Sequence, residues 1–171
     1  MKIIGCILII VGFSVIGYLL VDHLRLRIRE LCDVRRQIIF LRGEIRCGYR
    51  ALPEVFEELE HRTSGCWSAF YGEIARESKE HTEGTLEQLW RNAMLEKLQK
   101  SCLNEKEKQD WLEFGVCIGK MDSKGQIAFA DLCEERFCQY IQTEQEQFQT
   151  QAKLYQTLSV LGGVFLSVLL I

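Results

Sequence analysis

The sequence predicts an all-α protein in which an antiparallel six-helix bundle is flanked by an N-terminal and a C-terminal transmembrane helix. Two apolar runs, residues 3–21 and 154–171, contain no Asp, Glu, Lys, Arg or His. As helices they would reach about 28 and 27 Å, close to the roughly 30 Å of a hydrocarbon core. Between them, apolar residues recur at helical spacing and no useful alternating pattern indicates a strand. We therefore expect an N-terminal anchor at 1–21, a helical bundle at 22–153 and a C-terminal anchor at 154–171.

The charge distribution predicts how the chain is oriented. Residues 1–47 carry 8 Lys and Arg against 4 Asp and Glu, whereas residues 48–150 carry 12 against 20. Only Lys2 and the terminal amine precede the first apolar run, and five arginines follow it: Arg25, Arg27, Arg29, Arg35 and Arg36. The positive-inside rule then places the bundle in the cytoplasm and both chain ends on the opposite side. Because the basic residues form no patch beyond this arginine arm, nucleic-acid binding is not expected.

The first helix of the bundle is predicted to continue from the N-terminal run as far as Gly48. Its apolar face repeats every seven residues, with further apolar positions between the repeats. These positions are Leu24, Ile28, Leu31, Val34, Ile38, Leu41 and Ile45. Arg35 and Arg42 occupy positions that a symmetric coiled coil would keep apolar, so a helix packed inside a bundle is the better interpretation.

Proline and acidic residues indicate where the second helix begins. Leu52-Pro53-Glu54 places proline in the first turn, where its missing N–H group is tolerated. Glu54, Glu57 and Glu58 suit the positive end of the helix dipole. This helix should run to about His61 and break at Thr63-Ser64-Gly65. A third helix should follow, carry Trp67, Phe70, Tyr71 and Ile74 on one face, and end before Gly84.

Two capping boxes predict the starts of the next helices. Thr85 with Gln88 should begin a fourth helix, and Asn104 with Glu107 a fifth. Residues 119–125 form the clearest predicted turn. The sixth helix should then continue without a break into the C-terminal run, with these apolar members: Ile127, Ala130, Phe137, Tyr140, Ile141, Phe148 and Tyr155.

No catalytic, cofactor-binding or metal-binding residue is predicted, and we expect a protein that is not an enzyme and takes no small-molecule substrate. Residues 115–120 superficially resemble a phosphate-binding loop, but one residue too few separates the glycines and Met121 stands where Ser or Thr should bind magnesium. The glutamates of the second helix (Glu54, Glu57, Glu58 and Glu60) are interpreted as a solvated face. The aromatic stripes at Trp67, Phe70, Trp90, Trp111 and Phe114 are interpreted as core.

The cysteines are interpreted as buried, reduced small hydrophobic residues. Of 8 cysteines, Cys6 lies in the first run, and the other seven include no C-x-x-C pair. The three histidines, His23, His61 and His81, are too scattered to complete a zinc site with them. A disulfide framework would become the better interpretation if the bundle faced outward.

Three groups of residues resemble the stage III sporulation protein AB family. They are Glu44-Ile45, Gly48 and Leu52-Pro53-Glu54; then Phe114-Gly115, Gly119, Asp122 and Gln126; then Leu158, Leu161-Gly162-Gly163 and Leu170-Ile171. The resemblance covers nearly the whole chain, in the order anchor, bundle, anchor. One departure is Arg50-Ala51 before Leu52-Pro53, where the family pattern leads us to expect Thr-Pro.

The resemblance implies a platform protein. Members of the family are similar to the cytoplasmic domain of the F-type platform proteins of type II secretion and type IV pilus systems. They take part in the complex that links mother cell and forespore during endospore formation, in the mother-cell membrane surrounding the forespore. The implied partners are the family's secretion-type ATPase, stage III sporulation protein AA, other subunits of the complex, membrane lipids and further copies of the chain.

Two other classes of function stay open on the sequence alone. One is a small membrane enzyme or transporter subunit, which would need a pocket of convergent polar groups. The other is a doubly anchored sensor or subunit of another complex, with its bundle on the outer face of the membrane.

Overall fold

Six α-helices and one short 3₁₀ helix form the part of the chain described by the structure, a computed structural model. It describes the backbone of residues 2–80 and 84–170, and the side chains of 21–22, 24–80, 84–150 and a few positions nearer the termini. The helices are α1 (Lys2–Cys47), α2 (Leu52–Arg62), α3 (Cys66–Lys79), α4 (Leu86–Lys97), the 3₁₀ helix (Leu98–Lys100), α5 (Glu105–Lys120) and α6 (Ser123–Leu170). These described residues contain no strand, so the predicted all-α class and its helix count are confirmed.

The chain divides into two units. The first combines Met1–Arg29 with Tyr140–Ile171, and the second is Glu30–Gln139. Helices α1 and α6 each contribute residues to both units.

Within the described residues, no helix combines the length and apolar character needed to cross a membrane. The side chains of the two predicted spans, residues 3–21 and 154–171, lie almost entirely outside those described, and the backbone of residues 3–21 and 154–170 is helical.

The helix boundaries follow local capping signals. Both predicted capping boxes are present: the side chains of Thr85 and Asn104 accept hydrogen bonds from the N3 backbone groups of α4 and α5. Helix α2 begins at Leu52 with proline in its first turn, and it ends before the predicted break at residues 63–65. Gly48 and Gly65 adopt φ angles of 65° and 63°, which glycine reaches at no steric cost, so α1 can end and α3 can begin there.

The predicted turn at residues 119–125 is much shorter in the structure. Helix α5 runs to Lys120 and α6 already begins at Ser123. A Cβ at Gly119 would lie 3.3 Å from Leu86 Cβ, so this glycine lets α5 approach α4 closely. Gly125 N donates to Asp122 Oδ1 at 3.1 Å, which caps the first turn of α6. These two glycines therefore serve packing and capping within helices and do not extend the turn.

The core of the second unit is a cluster of aromatic rings. Trp90 is fully buried, with ring centroids of Phe70 at 5.0 Å and Trp111 at 5.2 Å. Phe56, Tyr71 and Phe114 complete the cluster. Such edge-to-face and tilted contacts add about 0.5–1.5 kcal/mol per pair beyond the burial of apolar area. The interpretation of the predicted aromatic stripes as core is confirmed, because all five of their residues are buried: Trp67, Phe70, Trp90, Trp111 and Phe114.

Candidate functional site

The glycine-containing segment at residues 115–120 lies inside helix α5 and is not a loop. A Cβ at Gly115 would come within 2.3 Å of Trp90 Cγ and Cδ2. The glycine is therefore required because the indole of Trp90 packs directly against the α5 backbone. Trp90 Nε1 also donates to the carbonyl oxygen of Trp111 at 3.2 Å, which fixes the ring in place.

Two of the four glutamates on α2 are engaged by basic side chains. Glu57 pairs with Lys79 of α3, and Glu58 accepts from Arg62 Nε at 2.6 Å. This hydrogen bond from Arg62 lowers the pKa of Glu58. Glu54 is exposed, whereas Glu60 is half-buried. The predicted acidic face is thus partly neutralised, and Glu54 is its exposed carboxylate.

The arginine arm is also only partly available to solvent. In the first unit Arg27 pairs with Glu144 at 2.8 Å, and the guanidinium of Arg25 lies 5.8 Å from the ring centroid of Phe148. In the second unit Arg35 donates to Glu134 at 2.9 Å. The arginines classed as exposed are Arg25, Arg29 and Arg36. These three carry the exposed positive charge of the arm.

Arg42 joins α1 to α6 through a small ion-pair network. It donates to Asp131 Oδ1 at 2.5 Å and to Glu134 Oε2 at 2.6 Å. The hydrogen bond that Arg42 donates to Asp131 and the nearby carboxylate of Glu134 raise the pKa of Arg42. The two arginines that argued against a coiled coil, Arg35 and Arg42, therefore have acidic partners on another helix of the bundle.

The interpretation of the cysteines as buried small hydrophobic residues is wrong for most of them. Among the seven cysteines with described side chains, all free thiols, only Cys133 is fully buried and Cys47 is exposed; the others are half-buried. Cys133 lies on the apolar face of α6 between Ala130 and Phe137, where burial raises its pKa to about 12. Cys47 is exposed because it ends α1 beside the turn at Gly48. The side chain of Cys6 lies outside the described residues.

A cleft that sequence reasoning missed lies between α1 and the α2–α3 connection. Its volume is about 460 Å³. On the α1 side it is lined by Asp33, Arg36, Gln37 and Phe40, and on the other side by Leu59, Arg62, Thr63, Ser64 and Trp67. The only sequence signal was a polar residue, Gln37, within the apolar face of α1, next to Ile38.

One wall of the cleft is held by a carboxylate of α1. Glu30 Oε1 accepts from Trp67 Nε1 at 2.9 Å, and Glu30 Oε2 accepts from the backbone N of Cys102 at 2.6 Å. This single side chain thus ties α1 to α3 and to the segment that follows the 3₁₀ helix. Across the described side chains, His, Cys, Asp and Glu residues do not gather in any group that could hold a metal ion.

Comparison with known proteins supports the family resemblance. No curated protein and no solved structure matches the chain. The sequence model of a family described as stage III sporulation protein AB matches residues 2–171. Because the match covers the bundle and both terminal helices, the chain belongs to the stage III sporulation protein AB family.

Proposed function

We propose that this protein is a non-enzymatic membrane platform in the complex that joins mother cell and forespore during endospore formation. The observation that carries the proposal is the family match over residues 2–171, which makes the protein a sporulation protein. In this proposal an antiparallel bundle is flanked by two transmembrane helices, lies in the cytoplasm of the mother cell and docks a secretion-type ATPase.

The hydrophobic termini support the membrane part of the proposal. Residues 3–21 and 154–171 contain no Asp, Glu, Lys, Arg or His. Residues 3–21 and 154–170 belong to α1 and α6, which also contribute to the second unit. The two exposed arginines of the arm that lie nearest the first run, Arg25 and Arg29, would contribute about 1 kcal/mol each near an anionic membrane surface.

The packing of the bundle supports a mechanical role over a catalytic one. Its large aromatic residues fill the core, and its two buried acidic side chains are engaged in structure: Glu107 caps α5 and Asp110 pairs with Arg136 at 2.8 Å. A well-packed core of this kind transmits strain because protein interiors have low compressibility. A platform can therefore pass the movement of an ATPase to partners in the membrane.

The test of the platform role is in-cell crosslinking of full-length protein from α2. A photo-crosslinking residue replaces Glu54, the exposed carboxylate of the acidic face, and Asn92 on the exposed face of α4 carries the control. We expect the stage III sporulation protein AA ATPase to be attached at position 54 and much less at position 92. Absence of the ATPase from the position 54 adducts in sporulating cells, together with no co-purification from native membranes, would refute this partner.

Orientation is tested by labelling Cys47, the exposed thiol. An impermeant maleimide is applied to intact and to permeabilised cells, and the Cys47→Ser variant measures the background from the half-buried thiols. The proposal expects labelling of Cys47 only after permeabilisation. Labelling in intact cells would place the bundle outside and favour the outward-facing sensor.

A further inference from the structure

We propose that Tyr49 of one copy of this chain inserts into the cleft between α4, α5 and α6 of a second copy. The contact is head to tail, because it joins two different surfaces of the bundle. The inference goes beyond the platform proposal, since it concerns copies of this chain and requires neither the ATPase nor a given orientation in the membrane.

Tyr49 is the most exposed large hydrophobic residue among the described side chains, at 93%. It lies on the turn between α1 and α2, directly after Gly48, whose φ of 65° allows α1 to end. A tyrosine ring brings a large contact area at a low cost in side-chain entropy, and aromatic residues are enriched at the energetic centres of protein interfaces. The bundle leaves this ring outside its own core, where a partner can bury it.

Two arginines without an ion-pair partner flank this tyrosine. Arg46 and Arg50 are exposed, and among the described residues neither pairs with a carboxylate, including Glu44 and Glu54, the acidic residues nearest to them in sequence. Every other arginine of the second unit has an acidic partner. We call Arg46, Tyr49 and Arg50 the Tyr49 knob. It is apolar at its centre and positive at its edges.

The cleft that would receive the knob has an apolar wall. It lies between α4, α5 and α6 and has a volume of about 340 Å³. Leu112, Val116 and Phe129 form the wall, and Leu132, which is 42% exposed, extends the apolar surface by one turn of α6. Ligand-sized pockets measure about 300–1,000 Å³, so this small cleft suits one aromatic side chain better than a whole helix.

The rim of the cleft offers a carboxylate to the arginines of the knob. Glu87 and Arg91 on the rim already pair with each other at 3.4 Å. Glu113, by contrast, is 46% exposed and has only long contacts among the described side chains: Gln109 Nε2 at 3.5 Å and Arg136 Nη1 at 3.6 Å. Its carboxylate can therefore accept a shorter, charge-assisted hydrogen bond from an arginine beside the entering ring.

The knob and the cleft lie on opposite sides of α6 but at nearly the same level of the bundle. Arg42, about one and a half turns before the end of α1, contacts Asp131 of α6. Phe129 is two residues from Asp131, so its side chain lies about 200° around the α6 axis and only about 3 Å along it. The chain's own Tyr49 therefore cannot reach its own cleft, whereas the cleft of a copy beside it is at a suitable level. Repeated contacts of this kind close into a ring or extend as a filament.

The experiment is photo-crosslinking between two distinguishable copies of the purified full-length protein in detergent micelles. One copy carries p-benzoylphenylalanine in place of Tyr49, which keeps an aromatic ring there, and the other is ¹⁵N-labelled and otherwise unchanged. One side chain with its flanks buries far less than the roughly 1,600 Å² of a standard interface, so we expect a dissociation constant on the order of 100 µM and use the protein at that concentration.

Mass spectrometry identifies which peptides are joined. We expect adducts that join position 49 to the α5 or α6 peptides lining the cleft of the ¹⁵N-labelled copy. The control carries p-benzoylphenylalanine at Leu95, which is 66% exposed and lies outside the cleft lining. It should give at least about fivefold fewer adducts with the same peptides.

Charge reversal in the two copies separates recognition from damage to the fold. Glu113→Lys in the ¹⁵N-labelled copy should lower the adduct yield about fivefold, and Arg46→Glu with Arg50→Glu in the other copy should restore about half of the loss. Glu96→Lys, at an exposed glutamate outside the lining, should leave the yield within about twofold.

Three results would each overturn the proposal: no adduct between copies, adducts without preference for the cleft peptides, or equal effects of the reversals at positions 113 and 96. The purified protein contains no ATPase, so these results stand apart from the test of the platform role.

Discussion

Replacing Gly115 by alanine tests how tightly α5 and Trp90 are packed. The added Cβ would lie 2.3 Å from Trp90 Cγ and Cδ2 and 2.4 Å from Cδ1. Carbon atoms in favourable contact are about 3.5–4.0 Å apart, so the ring or the helix would have to move by more than about 1 Å. Trp90 is fully buried among Phe70, Trp111 and Phe56, which leaves the indole no free space to move into.

The expected effect is a net loss of about 1–2 kcal/mol in the free energy of unfolding. Overpacking a well-filled core costs about 1–3 kcal/mol and sometimes more. Alanine recovers about 0.5–1 kcal/mol in a helix because it restricts the unfolded chain more than glycine does. Gly43 is the matched control: it lies in α1, and a Cβ there would meet nothing within 4 Å. Gly43→Ala should therefore stabilise the protein by about 0.5–1 kcal/mol.

The assay is unfolding of the full-length protein in mild detergent, followed by circular dichroism at 222 nm and by tryptophan fluorescence. A double-mutant cycle with Trp90→Phe then isolates the contact. The smaller ring should relieve the clash, so Gly115→Ala should cost at least about 1 kcal/mol less in the Trp90→Phe background. Wild-type stability of Gly115→Ala, or equal effects of the alanine at positions 115 and 43, would refute the packing described for α5.

Three further predictions concern the ion pairs, the caps and the buried thiol. Arg42→Met, which removes both acidic contacts to α6, should lower the free energy of unfolding by about 1 kcal/mol, and by less in 1 M salt. The control Arg36→Met, at a far more exposed ion pair, should lower it by under about 0.5 kcal/mol. Equal losses in the two variants would contradict the ion-pair network of Arg42. Asn104→Ala should lower the free energy of unfolding by about 1 kcal/mol through loss of the α5 capping box. The control Asn92→Ala should stay within about 0.5 kcal/mol of the wild type. Denaturant unfolding of both variants measures the two values. Burial raises the pKa of Cys133 from 9.0 to about 12, so the stability it contributes is complete below pH 9 and is lost as the pH rises toward 12. The free energy of unfolding should therefore fall between pH 8 and pH 10 by about 1 kcal/mol less in Cys133→Ala than in the wild type. An identical pH dependence in the two proteins would contradict the burial of this thiol.

Features set by neighbouring residues could be predicted from the sequence. The capping boxes at Thr85 and Asn104, the proline start of α2 and the stop at Gly48 each depend on side chains within four positions of the helix end. The aromatic core was also predictable, because its rings recur at helical spacing along α3 and α5, and Trp90 lies with other apolar residues on one face of α4. Membership of the family could be recognised from residues spread over nearly the whole chain.

The exposure of single side chains could not be predicted in the same way. Cysteine has a small, apolar side chain, so the residue type alone favours a buried position. Cys47 is nevertheless exposed, because α1 ends beside it. The glycines at 119 and 125 suggested a long turn, whereas the approach of Leu86 and the cap from Asp122 place both in helices.

The sequence by itself determined the helices, their caps and the division into apolar termini and a charged middle, because these depend on propensity and periodicity over short distances. Only the tertiary structure decided why Gly115 must be glycine, which acidic groups pair with Arg42, and which hydroxyl donates to the buried side chain of Gln37. Each of these features joins residues from different helices. Gln37 and Tyr71 are 34 positions apart, and Arg42 and Asp131 are 89 apart, so no local pattern records their contact.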